Sequence, residues 1–476
     1  MPVNSFEDYK LTWCPQKEHL KSPYFKSIAA MLEQDILSGR LSSGTKLPPQ
    51  RELADYLDIH FTTVTKAYEE CKKKNLIYGV TGSGTFVSPQ SVKPITNSMD
   101  TMLRHVEALR YDAAIEMGFS SSFEQTNQIV LDSLLSLIPN CNFNFSYRDP
   151  TGSAYHKQIA LQWMSQFGIH APESQVAIVS GSMNALTICM LSLFKSGDRI
   201  AIDFYVNNNV IELAKLLSIQ LIPIKMDADG MIPEAVEQAC EQYSIKGLYL
   251  MPSCNNPTTI RIPLSRKVQL SNIIQKYGLI VMEDDPFAFC SVPPLSDHAI
   301  PMRELLPEQT IYICNTTTSI CSGIRIAFLV FPHRFLEAIH SAICNINVKT
   351  SAFDVEVICQ LIQSGIAKQI ADKKTALSRE ANAIFNEIFP NNRQGNPCSF
   401  FRWLEIPKSF RNDTIGWELL SRGIHVYHSR RFLCGKDEDT SYLRIALSST
   451  DSLEQLREGL LKIRDYLFSQ KDPESI

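Results

Sequence analysis

Polar residues follow several apolar, strand-like runs of this sequence, at positions where α/β proteins place their ligand sites. After VAIV, the segment 181–184 (GSMN) opens a helical stretch, where the backbone N–H groups of Ser182 and Met183 can bind a phosphate. After LIVM, the segment 283–285 (EDD) places Asp284 where a carboxylate can keep a ring nitrogen protonated. Each pattern also fits a structural role, because small residues often fill strand–helix turns and acidic loops are often simply solvated.

Three further residues could complete such a site. Asn256, directly before Pro257, offers a donor for a ring hydroxyl, and Arg325 offers a positive charge for a phosphate. Arg444, in SYLRIALSS, can bind a carboxylate through its planar guanidinium. Taken together, these residues indicate a site for a small anionic ligand.

The elements that must position these residues are strands that alternate with helices. From about residue 112, runs such as QVAIVSG, RIAIDFY and LIVMEDD alternate with helical stretches. This alternation predicts an α/β fold with a mostly parallel sheet covered by helices on both faces. After about residue 350, runs such as SFFRWLEI and SYLRIALSS indicate a smaller α+β region.

A separate unit precedes this region. Apolar residues of 25–36 recur at helical spacing, two further helical segments follow in KLPPQRELADYLD and FTTVTKAYEECKKKN, and LIYGVTGSGTFVSP predicts a hairpin. Three helices and a hairpin indicate a winged helix-turn-helix (α+β), whose recognition helix enters the major groove of DNA. The residues placed to contact bases or phosphates are Lys46, Arg51, His60, Thr62, Thr63, Lys66, Gly82 and Ser83.

Charge and cysteine usage restrict the function classes. The net charge of −4 excludes a strong overall attraction to nucleic acid, and residues 1–90 hold eleven basic against ten acidic residues, a net of about +1. A winged helix can also bind proteins, so charge alone leaves DNA binding and protein binding both open.

The 13 cysteines are scattered without a C-x-x-C pair, which argues against disulfides and zinc. With no signal peptide or apolar run of ~18 residues, we expect a soluble cytoplasmic protein.

The N-terminal segment resembles the DNA-binding domain of the GntR family of bacterial regulators. The matching motifs are SGRLSSGTKLP, RELA, TTV followed by AY, and GSGTFV. The resemblance implies that residues 20–89 bind double-stranded DNA, followed by a linker over 90–111. Many family members have arginine where this chain has Phe61, so the target sequence of relatives does not transfer.

Residues 112–476 resemble the fold-type I aminotransferases, which use pyridoxal 5′-phosphate. NPTT matches the family's N-P-x-G, EDDPF matches its acidic pair, and SYRDPTG resembles the segment that sends a tyrosine, here Tyr147, into the neighbouring subunit's site. The resemblance implies a large subdomain over about 140–345, a small one over about 346–476, and a ring-stacking role for Tyr205. Both halves together resemble the MocR subfamily of GntR regulators, in which an aminotransferase-like domain senses a ligand.

One position departs from the aminotransferase pattern S-x-S-K-x-x-x-P-G-x-R. Aligned on Gly323 and Arg325, the lysine position holds Thr318, and the nearest lysines along the chain are Lys276 and Lys349. That lysine anchors the cofactor as a Schiff base and moves protons, and loss of the proton transfer alone costs roughly 10²–10⁴ in rate. The sequence therefore predicts a degenerate domain rather than an enzyme.

The expected function is that of a homodimeric transcriptional regulator. Its aminotransferase-like domain is expected to sense a small anionic ligand, pyridoxal phosphate-like or an amino acid, without covalent attachment. Two alternatives remain at this point. One is a pyridoxal phosphate-dependent aminotransferase with a fused DNA-binding domain, which Thr318 disfavours, and the other is a regulator whose pocket has no ligand.

Overall fold

The computed structural model describes residues 11–17, 20–37, 41, 45–73, 76–80, 84–87, 114–143, 145–291, 300–392, 395–407, 410, 414–435 and 441–469. The chain divides into two compact units, Met1–Tyr111 and Asp112–Ile476. Among the described helices, none is long and apolar enough to cross a membrane.

The described part of the N-terminal unit contains three helices and a hairpin, as the sequence predicts. The elements are α1 Tyr24–Leu37, α2 Gln50–Leu57, α3 Phe61–Lys73, β1 Ile77–Val80 and β2 Gly84–Val87. The two strands pair antiparallel. The apolar faces of the three helices meet in one core that includes Ile28, Leu32, Leu53, Val64 and Tyr68. The fold is that of a winged helix-turn-helix.

The turn between α2 and α3 follows from its residues. Asp58 ends α2 in the left-handed conformation at φ 56°, and its N–H donates to the Ala54 and Asp55 carbonyls. His60 then precedes α3, where its Nδ1 lies 2.8 Å from Thr62 Oγ1. These contacts of Asp58 and His60 hold the first turn of α3 in place.

A short third segment lines the wing, because Lys46 forms a bridge with Phe86.

The second unit is built on a seven-stranded sheet. The first elements of the unit are β3 Ile115–Glu116, α4 Asn127–Leu137, α5 Ala154–Ser165, β4 Val176–Val179, α6 Ser182–Leu193, β5 Arg199–Asp203, α7 Asn208–Leu216, β6 Gln220–Ile224, β7 Met226–Asp227, β8 Gly230–Met231, α8 Pro233–Tyr243, β9 Gly247–Leu250, α9 Leu264–Tyr277, β10 Ile280–Asp284, α10 Met302–Leu305, β11 Thr310–Asn315, α11 Thr316–Ser319, β12 Ala327–Val330 and α12 Leu336–Ile346.

The order of the strands in this sheet is β4-β12-β11-β10-β9-β5-β6. Strands β11, β10, β9, β5 and β6 run parallel. The mostly parallel sheet is therefore confirmed, with β12 antiparallel to both of its neighbours.

Both faces of this sheet are buried. Along β4, Val176 and Ile178 belong to one apolar cluster, whereas Ala177 and Val179 belong to another on the opposite face. This alternation is the two-residue period of a strand. It explains why the strands are near-continuous apolar runs, as expected for a sheet covered by helices on both sides.

A smaller α+β region follows. Its elements are α13 Ala352–Gln363, α14 Ile366–Ile388, β13 Phe401–Ile406, α15 Thr414–Leu420, β14 Ile424–His425, β15 Tyr427–His428, β16 Ser441–Ala446 and α16 Leu453–Ser469. Strands β13, β16 and β15 form an antiparallel sheet, and β14 pairs with β3. The fold class is thus a fold-type I transferase-like α/β unit with a small α+β part.

Candidate functional site

The start of α6 forms one corner of the candidate site. Gly181 precedes α6 at φ 86°, a conformation that glycine adopts at little cost. A Cβ at this position would lie 3.1 Å from Nη2 of Arg325, so the guanidinium lies directly beside the helix start. The Ser182 hydroxyl is buried and has no hydrogen-bond partner among the described residues. This corner combines a helix N-terminus, a positive charge and an available hydroxyl, which suits an anion.

Asp284 supplies the second corner, at the carboxyl end of β10. Its Oδ2 accepts a hydrogen bond from the Tyr249 hydroxyl at 3.1 Å, while its buried Oδ1 has no partner in the described part of the chain. Burial raises the pKa of Asp284 to about 7, although Tyr249 and the nearby Ser182 hydroxyl lower it. The Ser182 hydroxyl therefore lies close to Asp284. The carboxyl can hold a proton near neutral pH.

The other two residues of the EDD segment have structural partners. Glu283 accepts the backbone N–H groups of Met302 and Arg303 at 2.8 and 2.9 Å. Asp285 accepts the Ser253 hydroxyl at 2.6 Å. Burial raises the pKa of both carboxyls, and for Glu283 the value is about 7. Of the three acids, Asp284 is the one that lies close to Ser182.

Three buried polar residues that the sequence patterns do not single out extend this corner. Tyr249 lies on β9, and burial raises the pKa of its hydroxyl, with further contributions from the nearby Asp284 and Asp203. Asp203 ends β5 and accepts a hydrogen bond from Asn255, and burial raises the pKa of Asp203 to about 7. Their position at or near the carboxyl ends of neighbouring parallel strands is the signal that could have found them.

Arg444 and Asn256 contact each other at the third corner. Arg444 Nε donates to Asn256 Oδ1 at 3.1 Å, and its Nη1 donates to the Gly118 carbonyl at 2.7 Å. The guanidinium also lies over the Phe401 ring, 4.5 Å from its centroid. Burial lowers the pKa of Arg444 to about 10, so the side chain remains charged at neutral pH. A buried, oriented cation is thus fixed beside Asn256.

The segment with Thr318 forms a short helical turn directly after β11. The Asn315 side chain caps it by accepting the Thr317 N–H at 2.6 Å, and Arg325 Nη1 donates to Thr317 Oγ1 at 3.3 Å. The backbone carbonyl of Thr318 accepts a hydrogen bond from Lys374 Nζ at 3.0 Å. Hydroxyl groups therefore occupy this turn, and the guanidinium of Arg325 is hydrogen-bonded to it.

Lys374 is the lysine that reaches Thr318, and neither Lys276 nor Lys349 does so. It lies on α14, its side chain is fully buried, and burial lowers its pKa to about 8. The titratable neighbours of its amine are Cys321, Cys290 and Glu124, and Asp284 is not among them. The amine therefore supports the Thr318 turn from the side of α14. No sequence pattern indicates this contact, because 56 residues separate the two positions.

Three predicted site residues remain: Tyr205, Met183 and Tyr147. The Tyr205 ring contacts Trp403 and Tyr442 at centroid distances of 5.2 and 6.0 Å. It is not among the side chains brought together around Ser182 and Asp284, so its stacking role stays a prediction. Met183 is half-buried against the core of the sheet. Tyr147 is 84% exposed.

The predicted DNA-contacting residues occupy the surface of the N-terminal unit. Lys46, Arg51, His60, Thr62 and Lys66 are exposed, Thr63 is half-buried, and Gly82 and Ser83 lie outside the described residues. Phe61, at the start of α3, is also exposed and packs against the His60 ring. The exposed residues of α3 thus begin at its N-terminal turn, the part of a recognition helix that reads bases.

Comparison with known proteins assigns each unit to a family. Residues 25–87 match the model of the bacterial regulatory proteins of the gntR family, and residues 137–463 match aminotransferase class I and II. An uncharacterized HTH-type transcriptional regulator of Bacillus subtilis, YdeF, is 32% identical over 98% of this chain and 99% of its own length. The chain belongs to the MocR subfamily of GntR regulators. It is a transcriptional regulator with an aminotransferase-like domain.

Other matches support this MocR assignment. The HTH-type transcriptional regulator NorG of Staphylococcus aureus is 22% identical over 89% of this chain and 99% of its own length. Among solved structures, a kynurenine aminotransferase of Pyrococcus horikoshii superposes with a TM-score of 0.71, at 16% identity, over 80% of this chain and 97% of that protein. At this identity the likeness shows only the fold of the aminotransferase-like domain. Within the described residues, no cluster of histidine, cysteine or acidic side chains could hold a metal ion.

Proposed function

We propose that this MocR regulator senses a small anionic ligand, pyridoxal phosphate-like or amino acid-like, by non-covalent binding, and that occupancy alters its binding to operator DNA. The observation that carries the proposal is the corner at the start of α6, where the Arg325 guanidinium lies beside Gly181 and the Ser182 hydroxyl lies next to Asp284. A cation beside the free N–H groups of a helix N-terminus suits an anion. This arrangement favours a liganded pocket over a ligand-free one.

The residues present fit pyridoxal phosphate. Arg325, Ser182 and the start of α6 would hold the phosphate, Asp284 the ring nitrogen, and Asn256 the ring hydroxyl. Arg444, which already donates to Asn256 and Gly118, would bind a carboxylate through its remaining N–H groups. When bound in enzymes, this cofactor supplies a protonated ring that accepts electrons. In this chain, the proton required at the ring nitrogen is already available on Asp284, because the pKa of its buried carboxyl is raised to about 7.

Thr318 supports a binding role rather than aminotransferase catalysis. A threonine hydroxyl can neither anchor an aldehyde as an imine nor act as a base near neutral pH, whereas catalytic lysines do both. Lys374 does not replace the missing amine, since its Nζ donates to the Thr318 carbonyl and Asp284 is not among its titratable neighbours. We therefore propose that this domain does not catalyse transamination.

We propose a homodimer as the DNA-binding form. Leu135 and Phe145 are 86% and 75% exposed, and the Phe143 ring stacks on Phe145 and Phe353 at 5.8 and 5.4 Å. Tyr147 extends from the same stretch. Such an apolar surface suits a second copy of the chain, and two-fold symmetry suits paired half-sites on double-stranded DNA. A protein that binds chromosomal DNA in bacteria works in the cytoplasm, so we place it there.

A labelling experiment tests the ligand and the absence of covalent attachment together. Full-length protein is incubated with pyridoxal phosphate, half of the sample is reduced with borohydride, and bound cofactor is measured before and after gel filtration in denaturant. We expect reversible binding that Arg325→Gln weakens, and no cofactor retained on the denatured chain. Cofactor found on a pocket peptide, including one with Lys374, would refute non-covalent binding.

Restoring the amine provides the positive control. Thr318→Lys should trap pyridoxal phosphate covalently and turn the protein yellow, while Thr318→Arg, with a charge but no reactive amine, should not. A folded Thr318→Lys variant that remains colourless would contradict the assignment of this pocket. Footprinting on the DNA upstream of the chain's own coding region, with and without pyridoxal phosphate, then tests regulation. The absence of any specific site under both conditions would contradict operator binding.

A further inference from the structure

A cavity of about 930 Å³ lies in the unit Asp112–Ile476. Its lining does not include Ser182, Asp284, Arg325 or Thr318. Its size is that of a site for a small organic molecule. Tyr442 on its wall is two residues from Arg444 along β16, and Thr258 is two residues beyond Asn256. The cavity therefore adjoins the site described above while having its own lining.

One wall of this cavity is aromatic. Trp403 and Tyr442 stack with their centroids 5.0 Å apart and their planes at 15°, and the Tyr205 ring meets Trp403 edge-on at 5.2 Å. Trp403 and Tyr442 are only half-buried, so parts of their rings face the cavity. Flat aromatic surfaces of this kind bind planar rings through stacking and burial of apolar area.

Cationic and hydroxyl groups accompany this wall. Arg261 lines the cavity, and its buried Nε has no hydrogen-bond partner among the described residues. Two acids also line the cavity: Asp227 is paired with Arg266 at 2.8 Å, and Glu405 is exposed. No described carboxylate forms an ion pair with Arg261. The buried Thr258 hydroxyl also has no partner in the described part of the chain. An anionic group is the chemistry that satisfies such a guanidinium.

We infer that this cavity is a second effector site, for a planar aromatic compound that carries a carboxylate or a similar anion. The ring packs on Trp403 and Tyr442, and the anion binds Arg261. This inference does not depend on the proposed pyridoxal phosphate ligand, because the two sites use different cations, Arg261 and Arg325. It assigns a role to Tyr205, whose ring the structure places in the aromatic wall.

The test uses 2-naphthoate as the probe on full-length protein, with its neutral relative 2-naphthamide for comparison. Binding is followed by calorimetry and by quenching of tryptophan fluorescence. We expect one saturable naphthoate site per chain, weaker binding of the amide, and a loss of roughly tenfold in naphthoate affinity in Arg261→Gln, as for a lost charge-assisted hydrogen bond. The quenching, but not the binding, should largely disappear in Trp403→Phe.

Arg325→Gln is the matched control, since it removes a cation from the other site. Naphthoate affinity unchanged in Arg325→Gln and reduced in Arg261→Gln supports the inference. No saturable binding, equal affinity of Arg261→Gln and the wild type, or loss of naphthoate binding in Arg325→Gln overturns it. If Arg261→Gln does not fold, Thr258→Val takes its place, and undiminished naphthoate affinity in that variant overturns the inference as well.

Discussion

Replacement of Lys374 with methionine should change the pH dependence of stability in a defined way. In the folded chain this lysine is fully buried, donates to the Thr318 carbonyl at 3.0 Å, and has its pKa lowered by burial from 10.5 to about 8. In the unfolded chain the pKa returns to its ordinary value. Between pH 8 and 10.5 the unfolded chain therefore binds a proton that the folded chain does not.

The sign and size of the effect follow from this difference. The lowered pKa contributes stability that is fully present above pH 10.5 and is lost as the pH falls to 8. The difference between the two pKa values corresponds to about 3 kcal/mol. Methionine has a similar volume and no charge, so the variant lacks this contribution. At neutral pH, Lys374→Met should be as stable as the wild type or more stable, because no buried charge has to be desolvated.

The assay is urea unfolding of wild type and variant across this pH range. The free energy of unfolding of the wild type, minus that of Lys374→Met, should rise by about 3 kcal/mol from pH 8 to 10.5. Lys373→Met, on the same helix but exposed, should show no such rise. A difference that stays constant with pH would refute the buried, proton-depleted amine behind Thr318.

Three further predictions concern the two units separately. Lys66→Ala should weaken binding to all DNA sequences similarly and reduce the slope of log affinity against log salt by about 1 in filter-binding titrations. Gly181→Ala should cost about 1–2 kcal/mol in thermal unfolding, because of its φ of 86° and its contact with Arg325. For Asp284→Asn, the stability of the wild type relative to the variant should fall by about 4 kcal/mol as the pH rises from 3.8 to 7, and pyridoxal phosphate affinity should fall.

The fold was predictable because its signals are local. Helical spacing in 25–36, the Gly-rich hairpin and the apolar runs each depend on a few neighbouring residues. The direction of β12 was not predictable from its residues, since a strand buried on both faces has the same apolar pattern whether it runs parallel or antiparallel. Only its pairing with β4 and β11 in the folded sheet decides that direction.

The candidate site was predictable only where its residues directly follow strands. Asp284 and the 181–184 segment have that signal, but the sequence could not say which acid of EDD lies close to Ser182. Tyr249 and Lys374 escaped notice because a tyrosine inside a strand and a lysine inside a helix have no pattern of their own. Their importance arises from contacts with Asp284 and Thr318, at separations of 35 and 56 residues.

The proposed loss of the amine at Thr318 changes which compounds can alter the occupancy of the pocket. A site that attaches its cofactor to lysine stays occupied, so it can respond only to the compounds that react with the cofactor. A non-covalent site fills and empties with the concentration of the free ligand, and binding stabilises the occupied form by about 2.7 kcal/mol at 100 times the Kd. Since Arg325 and Asp284 retain the groups that would bind such a ligand, we infer that this regulator responds to the level of the phosphorylated ligand itself. Pyridoxal phosphate should then shift operator affinity without any added amino acid, and a requirement for both would contradict this reasoning.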